Sequence, residues 1–225
     1  MWSPGGHPVT RSIHGELCLR RYAYHDAMHL DPEFLAPTTV IDADHPDISA
    51  LAHALSGPNP AETVRAVFTY VRDRISHPAD TGSSTVTVKA SETLRAGEGI
   101  CHNQAALLVA LFRAAGIPAA LRYQEVETET GQKVLHGIAT VWAPYLSETG
   151  GFILVDPRYP ENDHRHSGHE WQTRALGHPF ERNLPMIHTD MLPVVVNALE
   201  SATGAQELLY SKIGRAVQQE CRDRS

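Results

Sequence analysis

No stretch of this 225-residue chain is apolar for long enough to cross a membrane. The longest uninterrupted apolar run, residues 105–112, has eight residues, against the roughly 20 that a bilayer-spanning helix needs. The first thirty residues hold no apolar stretch of signal-peptide length, and the pair Arg20-Arg21 is not a targeting signal by itself. Lys and Arg number 19 against 26 Asp and Glu, for a net charge of -7, and the basic residues form no cluster. Binding to nucleic acid through phosphate neutralisation is therefore not expected. Cysteine is scarce. Cys18, Cys101 and Cys221 are odd in number and widely spaced, with no C-x-x-C pair, so neither a disulfide framework nor a zinc site is indicated. With 16 glycines and 15 prolines the chain is not collagen-like or of low complexity. A soluble, cytoplasmic protein with no membrane or nucleic-acid partner is expected, and the oligomeric state is left open.

What is present is ordinary for one substantial domain: 42% apolar and 20% charged residues. The 14 histidines are many for the length. Both ends stand apart. Residues 212–225, K-I-G-R-A-V-Q-Q-E-C-R-D-R-S, back-translate into a string resembling a short-read sequencing adapter. They are set aside as a non-native tail, which removes Cys221 from consideration and implies that the natural C-terminus is missing. Residues 1–27 mix Pro, Gly, His and Arg without periodicity, and Met28 is a possible start. One domain is expected over 28–211.

Between these ends the chain alternates elements around one loop-to-helix junction. His45-Pro46-Asp47 leads into Ile48, Leu51, Ala52 and Leu55, a short amphipathic helix stopped at Gly57-Pro58. Asn59 then reads as an N-cap, with Pro60 at the first helical position and Glu62 at the third. Val64, Val67, Phe68, Val71 and Ile75 follow at helical spacing. Residues 78–84 read as a polar loop, and 90–94 as one or two helical turns. An almost wholly apolar helix is predicted over 101–115, stopped by Gly116 and Pro118. Strands are predicted at 119–126, 134–142 and 152–155. Residues 163–183 read as loop, and 190–209 contain a final helix with Leu192, Val195, Val196, Leu199 and Leu208 on its apolar side. Trp142 and Phe152 are expected in the strand core, with Trp171 capping the fold.

Cys101 opens the apolar helix. Unpaired N–H groups at a helix start favour thiolate over thiol and can hold an oxyanion. Gly97 and Gly99 allow a tight turn and leave room for a substrate. A thiolate also needs an imidazole oriented by a third group. His136 on the second strand and Asp156 at the end of the third could meet at one end of the sheet. By spacing alone a buried, unreactive Cys101 remains an equal reading.

The segments G-E-G-I-C-H-N-Q-A-A-L-L-V-A-L-F-R-A-A-G-I-P-A, L-H-G-I-A-T-V-W and G-G-F-I-L-V-D-P-R resemble the core motifs of the transglutaminase-like superfamily. D-H-P-D-I and V-R-A-V-F-T-Y-V-R-D-R-I resemble the helical lead-in of its small bacterial members. The similarity spans residues 42–156 and runs more weakly to 199. It implies an α+β fold with a papain-like core, Cys101 as nucleophile, His136 as general base and acid, and Asp156 as orienter. Relatives often carry an aromatic residue soon after the histidine, where this chain has Gly137-Ile138, and a tyrosine where it has Ser76. Nothing resembles the calcium sites of large animal transglutaminases, so no metal or other cofactor is expected. The implied chemistry is thiol-dependent acyl transfer or hydrolysis on a peptide or amide substrate. The backbone N–H of Cys101 is the expected oxyanion donor, with Asn103 or Gln104 as candidates for a second and His102 lining the cleft.

Two other readings stand beside it. His164, His166 and His169, with His178 and His188, could gather a metal in a metallohydrolase. A transglutaminase-like domain could also bind a peptide or partner protein without catalysis, its cysteine unreactive.

Overall fold

The helices begin where the sequence supplies caps. The structure, a computed structural model, describes residues 30–127, 131, 133–146, 150–158, 171 and 181–208. After a 3-10 turn at Pro32–Phe34, helix α1 (Pro46–Leu55) starts from His45, whose Nδ1 accepts the Asp47 N–H at 3.2 Å. Helix α2 (Pro60–Arg74) starts from Asn59, whose Oδ1 accepts the Glu62 N–H at 3.0 Å while its amide donates back to the Glu62 carboxylate at 2.7 Å. Each N–H so taken up is one that a helix start leaves without a partner. Val64, Val67, Phe68, Val71 and Ile75 are all buried. The segment predicted as a polar loop instead opens with a short helix, α3 (Pro78–Thr81), capped by His77. Helix α4 (Ala90–Ala96) follows.

Helix α5 (Cys101–Ala114) is the axis of the molecule. Residues 105–112 are fully buried, because α1, α2 and α4 pack on one side of the helix and the sheet on the other. The sheet comprises, among the described residues, β1 (Ala119–Glu127), β2 (Lys133–Trp142), β3 (Phe152–Val155) and β4 (Arg182–Asn183), in the order β3-β2-β1-β4 and antiparallel throughout. The register sets Gln124 opposite His136, Tyr123 opposite Gly137 and Val155 opposite Ala139. The α+β class implied by the resemblance is the class observed.

Three expectations change. β4 lies in a stretch read as loop; its two residues are held by Arg182 on Glu125 at 2.7 Å and by Gln124 on Asn183 at 2.7 Å. The final helix is two, α6 (Pro193–Ser201) and α7 (Ala205–Glu207). Ala202 is extended at the break, and the Glu207 carboxylate accepts the Thr203 N–H at 3.0 Å. Trp142 and Phe152 are half-buried and pack edge to face at 5.3 Å, with Phe34 against Phe152 at 5.2 Å. They cover the outer sheet edge because β3 has no further strand beyond it in the sheet order.

A buried cation ties the layers together. Arg113 of α5 donates to the carbonyls of Ala119 at 3.0 Å, Ala36 at 2.6 Å and Thr189 at 2.7 Å. Among the described residues no helix is long and apolar enough to cross a membrane. Cys18, the domain boundaries expected at 27/28 and 211/212, the suspected tail, and His164, His166, His169 and His178 lie outside the described residues.

Candidate active site

The loop into α5 is pinned before the helix begins. Ser76 and Glu98 form a parallel bridge, in which the Ser76 N–H donates to the Gly97 carbonyl and the Gly99 N–H to the Ser76 carbonyl, both at 3.0 Å. Gly97 adopts the left-handed conformation, φ 64°, that ends α4. Gly99 does not open space for a substrate, as the sequence had suggested. A Cβ there would meet Asn103 Cβ at 2.8 Å and Thr93 Cγ2 at 2.9 Å, so the missing side chain lets α4 and α5 close on each other. Cys101 follows as the first residue of α5, half-buried. As a first-turn residue its N–H has no acceptor within the helix.

His136 and Asp156 come from neighbouring strands. Extending the β2–β3 register by one residue sets Asp156 beside Ile138, so His136, two residues along, shares its face. His136 Nε2 lies 2.9 Å from Asp156 Oδ2. The other Asp156 oxygen accepts the Arg158 N–H at 3.1 Å, and the Asp156 N–H donates to the Trp171 carbonyl at 2.8 Å. Trp171 is itself fixed edge-on against Phe68 at 5.7 Å and beneath the Arg65 guanidinium. A fully buried carboxylate is tolerable only when paired and hydrogen-bonded in this way. With Nε2 committed to Asp156, Nδ1 is the His136 nitrogen left for the hydrogen bond to the Cys101 sulfur.

The electrostatics follow from this placement. Burial works against a charged His136, but the charges of Asp156 and Cys101 and hydrogen bonds to both push its pKa up to about 10. Burial also works against a thiolate at Cys101; the charges of His102 and His136, with hydrogen bonds from His136 and His77, reverse it and hold the thiol well below its usual range. His102 is itself held below the usual imidazole value, by burial first and then by His136 and His77. His136 is thus the standing cation at neutral pH, and Cys101 with His136 forms a thiolate–imidazolium pair.

The three residues after Cys101 sit elsewhere than the cleft expected for them. His102, Asn103 and Gln104 are all buried, because α5 is enclosed on every face. Asn103 Nδ2 donates to the Thr87 carbonyl and Gln104 Nε2 to the Ile75 carbonyl, each at 2.9 Å. His102 packs against the Tyr123 ring at 5.9 Å, and its Nδ1 has no hydrogen-bond partner among the described residues. His188 packs against the other side of Tyr123 at 5.4 Å, and the described residues contain no group of metal-ligating side chains.

Two contributors were missed from sequence: His77, which reaches the sulfur, and Arg158, which carries Asp156. The dipeptide His77-Pro78 was a usable signal, since a proline at a first helical position marks the residue before it as a cap.

Residues 49–157 match the family model of the transglutaminase-like superfamily. Among solved structures, a candidate cysteine protease from Cytophaga hutchinsonii is 23% identical, with a TM-score of 0.47, over 58% of this chain and 43% of that one. The periplasmic domain of TgpA from Pseudomonas aeruginosa, bound to ethylmercury, is 23% identical, with a TM-score of 0.40, over 57% of this chain and 50% of that one. This chain thus spans half or less of the length of either. Comparison with curated proteins finds no match.

Proposed function

Residues 49–157 carry the core of the transglutaminase-like superfamily, a family of thiol-dependent enzymes, and on that footing we propose that the chain transfers or hydrolyses acyl groups of peptide or amide substrates through Cys101, His136 and Asp156. The observation that carries this reading is His136 itself, set between the buried Asp156 carboxylate at 2.9 Å and the Cys101 sulfur.

In this mechanism the Cys101 thiolate forms a C–S bond to the substrate carbonyl carbon, and the carbonyl electron pair moves onto oxygen. The Cys101 N–H, pointing out of the first turn of α5, receives that oxyanion. His136 gives its Nδ1 proton to the leaving amine as the C–N bond breaks, which leaves a thioester and a neutral imidazole. His136 then takes a proton from the incoming water or amine, which releases the acyl group and restores the pair. Water as acceptor gives protease or amidase chemistry; an amine gives transamidation. A reducing, cytoplasmic setting suits this site because it keeps Cys101 free of disulfide exchange.

The test is iodoacetamide alkylation of Cys101 against pH, followed by peptide mass spectrometry, with Cys18 in the same molecule as reference and His136→Ala alongside. Cys101 is expected to react well below the roughly 8.5 of a free thiol and to lose that advantage in His136→Ala. A Cys101 that titrates with Cys18 overturns the reading.

A further inference from the structure

The site contains a second imidazole that neither the sequence motifs nor the proposed triad uses. We propose that His77 is a positioning residue for the nucleophile: it donates its Nε2–H to the Cys101 sulfur while its Nδ1 caps helix α3. This inference rests on the acyl-transfer reading above.

His77 is buried, and its Nδ1 accepts the Ala79 N–H at 3.1 Å. A nitrogen that accepts a backbone N–H carries no hydrogen of its own, so the ring hydrogen stands at Nε2. The Cys101 sulfur takes hydrogen bonds from two imidazoles, His136 and His77. The cap therefore fixes the tautomer, and the tautomer makes the ring a donor to the thiolate.

The segment that carries His77 touches every part of the site. Ser76 bridges Glu98 in the loop before Cys101, and the Thr81 hydroxyl donates to the Glu98 carboxylate. Asp80 takes both guanidinium nitrogens of Arg158, at 2.6 and 3.0 Å, and the Arg158 N–H in turn holds Asp156. A helix of four residues has little stability of its own, so these ties are what keep the ring in place. The charged and titratable groups facing His77 are Cys101 and His102 on α5 and Glu98 in the loop, with Asp80 on its own helix. His136 faces the same sulfur from β2. His45 supplies a comparison within the molecule: its Nδ1 caps α1 in the same way, at the Asp47 N–H, and it is absent from the groups acting on the sulfur.

No proton changes place at His77. His136 moves the proton; His77 keeps its Nε2–H throughout and holds the sulfur in charge and direction before attack.

The experiment is the pH profile of Cys101 alkylation by iodoacetamide in the full chain, read by peptide mass spectrometry beside the melting temperature. In His77→Asn the side-chain oxygen can still take the Ala79 N–H, but the donor no longer reaches the sulfur. In His77→Gln the amide donor replaces Nε2–H and the cap is weakened. His77→Asn is expected to raise the midpoint by about one pH unit, with His77→Gln and His45→Asn staying at the wild-type midpoint. A His77→Asn profile that superimposes on wild type, while His136→Ala shifts, overturns this inference alone and leaves His77 a helix cap. A wild-type midpoint in the free-thiol range overturns it together with the acyl-transfer reading. If His77→Asn does not fold, His77→Gln decides: a wild-type midpoint with a lowered melting temperature supports the role, and a raised midpoint overturns it.

Discussion

Gly137 on β2 lies against His102 on α5 with no room for a side chain between them: a Cβ at Gly137 would stand 2.4 Å from His102 Nδ1 and 2.9 Å from His102 Cα. The second of those atoms is backbone, so rotating the imidazole would not relieve the clash. Gly137→Ala should push α5 from the sheet at the point where Cys101 meets His136. The expected cost is about 1–3 kcal/mol, measured by urea unfolding, together with a higher alkylation midpoint at Cys101. The same contact accounts for the departure from relatives that carry an aromatic residue near this place. Here the volume is occupied by His102.

Asp156→Asn keeps the shape of the side chain and an oxygen for the Arg158 N–H, but removes the charge that supports His136. The alkylation midpoint of Cys101 should rise, and turnover on any accepted amide should fall by roughly 10²–10⁴-fold. Single-turnover kinetics with Asp156→Asn beside Cys101→Ala would separate the two losses, since Cys101→Ala should form no thioester at all.

The pair also sets how stability depends on pH. His136 has a raised folded pKa, so its contribution is complete below the ordinary 6.5 and is lost as pH rises through about 10. Cys101 has a depressed folded pKa, so its contribution is complete above the ordinary 9.0 and is lost as pH falls. Between those ordinary values the folded pair holds one proton on His136 and the unfolded pair holds one on Cys101, so the two slopes cancel. This couple should therefore add a plateau between pH 6.5 and 9.0, with stability falling on either side. Urea midpoints of wild type minus Cys101→Ala across pH 5–10 would isolate it, and a steady slope through the plateau would contradict the ion pair.

Arg113→Ala should be among the most damaging substitutions remote from the site. It leaves the carbonyls of Ala36, Ala119 and Thr189 without their shared donor. A loss of about 2–4 kcal/mol is expected by urea unfolding, and Arg113→Lys should recover only part of it, because an ammonium lacks the planar fork that reaches three directions.

The features legible in the sequence were those with a local signature. Asn59-Pro60 with Glu62 announced the start of α2. The apolar run ending at Gly116 announced α5, observed over Cys101–Ala114. The three long strands fell within one residue of their predicted bounds at each end. What escaped depends on contacts made across the fold. α3 has four residues and β4 has two, too short for any hydrophobic period to appear. The burial of His102, Asn103 and Gln104 follows from how many elements surround α5, which helical spacing alone does not state. His77 was hidden for a further reason: imidazole is not among the preferred capping side chains, and its other nitrogen acts on a residue 24 positions away.

β3 pairs with β2 over only four residues and stands at the end of the sheet order, yet Asp156 follows directly from its last residue. α5 and the long β1–β2 pairing lie deep in the core, where amide exchange demands the most complete opening. Fraying of one short edge strand would remove the orienter while leaving the rest of the molecule folded. Reactivity at Cys101 would then be lost on heating before the tertiary structure melts, and the thiol would report the opening of β3 rather than the unfolding of the chain.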